Sequence, residues 1–295
     1  MGVGKRLPDP AGGGPVVEIV LANPSTRPGR TIDGELRIGC GERDVPVEHV
    51  VVGLFTAVEA DGEGQTLVEF HRVVASQAFP VPAGARRTVP FTVPVPWETP
   101  VTYLRGYPLP GMTMGLRVET EVGRRVDPHD LVAVYVYPLP AQERILDALL
   151  RLGFRLRRAG LQAGRIPWAD QTLPFYQDIG FWAAPEFADR ITEVGLTFVA
   201  DPYGVDVIIA LDRWASVDAG VRTSTALLRV EHATADQTDW DGVVASWVRG
   251  AVGRHPVNHL YRGPRYRVGE APGRGLYGSA GGEPDSDDGG GGETT

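Results

Sequence analysis

The chain of 295 residues holds one cysteine, Cys40, so no intrachain disulfide can form. Its surroundings, Ile38-Gly39-Cys40-Gly41, supply no base to activate a thiol, and it reads as a small apolar residue at a strand end. No run of 18 apolar residues occurs, so the pattern contains no membrane-spanning helix. Lys5 and Arg6 are followed by no apolar core of the kind a secretory signal needs, and the expected compartment is the cytoplasm. Positive charge is in deficit: 29 Lys and Arg against 37 Asp and Glu give a net −8. Residues 279–295 carry −5 of it through Glu283, Asp285, Asp287, Asp288 and Glu293, which leaves −3 on the other 278 residues. Neither part offers the broad basic surface that nucleic-acid binding requires, so no nucleic-acid partner is expected.

Reaction motifs are missing as well. There is no Gly-x-Ser-x-Gly elbow. The six histidines, His49, His71, His129, His232, His255 and His259, are scattered, and Pro256 interrupts the only i, i+4 pair among them. Asp236, Asp239, Asp241 and Gly242 resemble a calcium loop only in part, since Gln237 and Val248 stand where the decisive ligands belong. They read better as carboxylates at a helix N-terminus, where the dipole favours each by about 0.3–1 kcal/mol. Gly2-x-Gly4-Lys5 lacks the spacing of a phosphate loop. Asp127-Pro128-His129-Asp130 has the chemistry of a turn rather than of an acid–base pair. The expectation is therefore no catalytic residue, no metal ligand and no cofactor.

What the chain does have is strand grammar. Gly 38 and Pro 25 punctuate many short apolar runs, and 42% hydrophobic with 22% charged content is ordinary for a globular protein. Residues 16–21, 31–38, 49–60, 67–79, 89–95, 112–122 and 131–137 read as strands, the count expected of an Ig-like sandwich. Gly34 falls in an apolar register and marks a bulge or a close backbone approach. In the second half, Phe175, Gln177, Ile179 and Phe181 alternate, as do Val194, Leu196 and Phe198. Asp201-Pro202-Tyr203-Gly204 has type I turn preferences, and Val205, Val207, Ile209 and Leu211 then share a face. Residues 222–230 give one more strand.

Two segments break the alternation. Ile145, Leu146, Leu149, Leu150 and Leu152 fit one face of a helix over 140–152, with Pro140 suited to its first turn and Gly153 to its C-terminal cap. Val243, Val244, Trp247, Val248 and Val252 form the stripe of a second helix over 238–252, with Thr238 as its expected cap. The division expected is a flexible stretch over 1–14, a sandwich over 15–138, a second over 139–260, and a disordered Gly-rich acidic tail over 261–295.

Pro96-Trp97-Glu98-Thr99-Pro100-Val101-Thr102, then Asp127-Pro128-His129-Asp130, then Leu146 to Leu156 together resemble the sporulation-control protein M family. Arg27-Pro28-Gly29-Arg30-Thr31 is similar to the family's start. The resemblance implies an arrestin-like fold of two tandem β-sandwiches and an intracellular regulatory role in bacterial developmental control. It brings no catalytic residue and no cofactor. By itself, Trp97 between two prolines reads as a plug at a sandwich end.

The function expected is an adaptor that binds protein partners through exposed strand edges, which also allow a homo-oligomer. A small-molecule or glycan module is the alternative, with Trp168, Tyr176, Trp182 and Tyr203 as the aromatics to place; an enzyme on a sandwich scaffold ranks below it. Arg151, Arg155, Arg157, Arg158 and Arg165 are the one local basic concentration. They read as a solvated strand face beside the connector or, alternatively, as an anion- and partner-accepting patch for an acidic partner or the chain's own 285–293 stretch.

Overall fold

The computed structural model describes residues 3–6, 16–47, 49–60, 64–119, 131–167, 169–212 and 224–254. The first half runs β1 (Val3–Arg6), β2 (Val16–Leu21), β3 (Ser25–Thr26), β4 (Thr31–Gly39) and β5 (Val45–Val47). It continues through β6 (Val50–Ala60), β7 (Gly64–Ser76), β8 (Phe79–Val81) and β9 (Arg86–Pro94). A short hairpin of β10 (Tyr103–Leu104) and β11 (Tyr107–Pro108) precedes β12 (Met114–Glu119), β13 (Val132–Ala133) and β14 (Tyr135–Val136). The second half is α1 (Pro140–Arg151), β15 (Arg155–Ala163), β16 (Phe175–Trp182), β17 (Glu193–Ala200), β18 (Gly204–Leu211), β19 (Ser224–Glu231) and α2 (Trp240–Arg254). The body is mainly β with two helices, as the alternation and the two helical stripes require.

Strands β1-β2-β4-β9 make one antiparallel sheet. Its inward residues, among them Ile19, Leu36, Phe91 and Val93, meet Val52 and Leu54 of β6 and Leu116 of β12 in one apolar cluster. Gly34 is a close approach: a Cβ there would stand 2.5 Å from the Phe91 ring and 2.7 Å from the Val20 carbonyl. Cys40 is half-buried against this cluster.

A nine-stranded sheet follows the order β13-β12-β6-β15-β16-β17-β18-β19, with β7 on the other edge of β6. The splice between the two halves is short. Glu59 of β6 pairs in parallel with Gln162 of β15, and Gln162 Nε2 donates to Glu59 Oε2 at 2.7 Å. Beyond it, the β17–β18 hairpin forms in the register its alternation predicts, Leu196 against Ile209 and Phe198 against Val207. Asp201 sets its turn by accepting from the Tyr203 and Gly204 N–H groups at 2.7 and 2.9 Å.

The inner face of β15–β19 is covered by the two helices in a second apolar cluster that includes Ile145, Leu149, Phe181, Leu196, Val207 and Val248. Gly153 (φ +93°) ends α1 as a Schellman cap: Gly153 N–H donates to Leu150 O and Phe154 N–H to Leu149 O. The α2 cap differs from expectation. Asp239 Oδ1 accepts from Gly242 N–H at 3.3 Å, while the Thr238 hydroxyl donates to the Thr234 carbonyl at 2.8 Å. A carboxylate at that position meets the orphan N–H groups of the first turn, and Thr238 is drawn instead into the preceding turn.

Candidate partner-binding surface

The Trp97 motif is a joint between the halves. Gly29 (φ +72°) lies so close to Trp97 that a Cβ would meet the indole at 2.6 Å. On its other side the indole stacks on His232, with centroids 5.3 Å apart. His232 Nε2 lies 2.8 Å from the Asp201 carbonyl; since a carbonyl only accepts, that nitrogen carries the proton. Glu98 Oε1 takes hydrogen bonds from the Thr172 N–H and hydroxyl, and Oε2 one from Leu173 N–H. Val101 gives both backbone groups to the buried side chain of Gln177: its N–H donates to Oε1 at 2.9 Å and its carbonyl accepts from Nε2 at 2.6 Å. Thr102 N–H donates to the Val136 carbonyl, and its hydroxyl accepts from Val136 N–H.

The five arginines singled out in the sequence are distributed by the fold. Arg155, Arg157 and Arg158 come together because β15 carries a bulge between Leu156 and Arg158. Arg155 pairs with Trp182 and Arg158 with Gly180, so both lie on the outer face, the side opposite the helices, where strict alternation would have turned Arg158 inward. The Arg157 guanidinium sits over the Trp182 ring at 4.3 Å and donates to Glu193 Oε2. Glu193 is 1% exposed, so this carboxylate is buried only together with its counter-charge. Asp178, 2% exposed, lies on the same face, its Oδ1 standing 2.9 Å from where a Gly195 Cβ would be. A side chain at Gly195 would fill the space the carboxylate takes.

Arg151 and Arg165 are elsewhere. Arg151 ends α1 and grips Asp241 of α2 through Nε and Nη2 at 2.6–3.0 Å. Asp241's hydrogen bond pushes the Arg151 guanidinium above its usual value. Arg165 follows the far end of β15, whose span from Arg155 to Ala163 is about 25 Å at strand rise. There it donates to the Gln171 carbonyl at 2.7 Å. Gln171 itself donates to the carbonyls of Gly164, Leu173 and Phe175, tying the end of β15 to the start of β16.

The other singled-out residues are accounted for singly. Asp236 pairs with Arg144 at 2.8 Å, and Asp239 and Asp241 serve the helices. Among the aromatics, Trp182 lies under Arg157, Tyr176 is half-buried at the opposite end of β16, and Tyr203 is 80% exposed at the hairpin tip. Trp168, the 127–130 turn, His255, His259 and the acidic tail lie outside the described residues.

The outer face ends at β19. This strand pairs with β18 over eight residues without a register shift, and among the described strands it pairs with no other. Leu227, at its middle and on the outer face, is 44% exposed. Arg229 does not guard the edge: Nη1 donates back across β18 to Asp206 and Nη2 to Asp201, at 3.1 and 2.6 Å. Burial pushes the Asp201 carboxyl up, but Arg229 and the Tyr203 and Gly204 N–H groups more than reverse this and hold it below its usual value.

Known proteins share this architecture. The SpoOM protein family matches residues 6–215. The chain belongs to the SpoOM protein family. Sporulation-control protein spo0M of Bacillus subtilis (strain 168) is 25% identical over 216 residues, 72% of this chain and 81% of that protein. The crystal structure of Spo0M, sporulation control protein, from Bacillus subtilis shares the fold: TM-score 0.68 at 20% identity, covering 81% of this chain and 99% of that one. The SpoOM match takes in the Trp97 joint and strands through β18, whereas β19 and α2 follow the matched residues.

Sequence reasoning missed the buried glutamines. Gln177 sat in plain sight within the alternation Phe175, Gln177, Ile179, Phe181: an amide at an inward position signals a backbone partner. Gln171 had no such register to betray it.

Proposed function

We propose that this protein is a regulatory adaptor of the sporulation-control class, without enzymatic activity, that captures an extended segment of a partner protein along the edge of β19 that meets no other described strand. The observation that supports this is the character of that edge. Soluble proteins blunt a strand edge with lysine, proline, a bulge or an outward charge. β19 has no lysine, proline or bulge, its exposed Glu231 stands only at the strand's last position, and the guanidinium of Arg229 is drawn back to Asp201 and Asp206. A partner strand would gain main-chain hydrogen bonds there and cover Leu227. The likeness to sporulation-control protein spo0M supports the regulatory class.

Affinity purification of the full chain and of Leu227→Lys from host lysate tests this reading. A stoichiometric partner, a second copy of the chain included, is retained by the native protein and lost by the variant while both melt alike. Absence of any such partner, or equal retention by Leu227→Lys, overturns it.

A further inference from the structure

The turn Arg27-Pro28-Gly29-Arg30-Thr31 holds more hydrogen-bond donors than its own fold uses. Its backbone is fixed: Gly29 N–H donates to Val95 O, Val95 N–H to Arg30 O and Arg30 N–H to Arg27 O, all at 2.7–3.1 Å. Pro28 is buried, and the Trp97 indole backs Gly29. This rigid turn presents two guanidinium groups. Arg27 is oriented by donating through Nη1 to the Pro138 carbonyl, with Glu143 at 3.6 Å. Arg30 is exposed and makes no ion pair or side-chain hydrogen bond among the described residues.

Around them lies a shallow depression of about 500 Å³, lined by Ser25, Thr26, Arg27, Arg30, Thr31 and Tyr137. Thr26 spends its hydroxyl on the Thr31 carbonyl at 3.2 Å. The hydroxyls of Ser25, Thr31 and Tyr137 have no hydrogen-bond partner among the described residues. Tyr103 packs between Tyr135 and Tyr137, at 4.8 and 5.5 Å between centroids, and makes an aromatic flank. Two arginines beside one carboxylate leave the site positive. Its donors, two planar forks and three hydroxyls, outnumber what the two oxygens of a carboxylate can accept and suit a tetrahedral oxyanion.

We propose that this depression binds a phosphoryl group carried on a side chain of a partner protein. The carrier rests on the adaptor reading; the chemistry of the site does not. The test is a titration of the ¹⁵N-labelled full chain, followed by amide shifts. The probes are a phosphoserine peptide, the same peptide with Glu in its place, inorganic phosphate, and sodium chloride at matched ionic strength. The phosphopeptide is expected to shift the amides of residues 25–27, 29–31 and Tyr137 saturably. Inorganic phosphate moves the same set more weakly. Arg30→Ala loses one charge-assisted contact and weakens binding about tenfold, whereas the exposed Arg43→Ala leaves it unchanged. An equal response to the Glu peptide or to chloride, or an unchanged affinity in Arg30→Ala, overturns the proposal. Loss of this response while Leu227-dependent capture persists sinks the phosphoryl site alone.

Discussion

Val101 and Thr102 commit their backbone to partners from distant parts of the chain, Gln177 and Val136, and Thr102 also to the nearby Leu109. Along β19 the opposite holds: one edge is laddered to β18 and the other meets no described strand. At Val101 and Thr102 the joint stores stability in backbone groups that are buried and answered. The edge meets no other described strand, and an edge of that kind has polar groups to offer a partner. The same hydrogen-bonding chemistry therefore holds the halves together in one place and stands ready for recognition in the other.

The sharpest way to break this contrast is to remove an answer at the joint. Gln177→Ala leaves both Val101 groups orphaned in a buried site, at about 1–3 kcal/mol each. We expect a loss of about 2–5 kcal/mol in urea unfolding, with partner retention at low temperature unchanged. Gly29→Ala comes next: a side chain at φ +72° is strained, and its Cβ would displace the Trp97 ring. A loss of about 1–3 kcal/mol is expected, measured the same way, together with a change in indole fluorescence.

His71 is an intermediate case, a half-buried side chain with one buried nitrogen that no described group answers. Its Nε2 is buried without a hydrogen-bond partner among the described residues, opposite Leu54, and burial lowers its pKa below the usual 6.5. The unfolded chain therefore binds the proton first. Stability is full above the unfolded histidine value and falls as the pH drops from there toward the lower folded value. Melting temperature measured from pH 7.5 downward should decline in the native protein more than in His71→Leu; parallel curves would refute this. The smallest effect on stability belongs to Leu227→Lys, expected within about 0.5 kcal/mol of native, even as it abolishes capture.

Much of this fold was legible because its signals are local. The β17–β18 hairpin follows from alternation plus an Asp-Pro-x-Gly turn, and α1 from an apolar stripe between Pro140 and Gly153. Close approach at Gly34 was readable because an apolar register had no use for a glycine there. The joint was not legible as a joint. Trp97 and Glu98 act on His232, Thr172 and Leu173, more than 70 positions away, and spacing says nothing about that. The arginines show the limit most clearly. Parity assigns Arg155 and Arg157 to one face and Arg158 to the other, and a single extra residue in the ladder to β16 puts all three together. Asp239 in place of Thr238 as the α2 cap is a contest between neighbours with similar capping chemistry, settled by Thr234 claiming the threonine hydroxyl.

The short splice at Glu59 and Gln162 has a mechanical meaning. Through it, seven successive ladders run from β19 to β13, so the nine-stranded sheet is one continuous girder. A segment docked at one margin would pull not on a flap but on the whole width of the sheet, and tension applied there would be shared by strands drawn from both ends of the sequence.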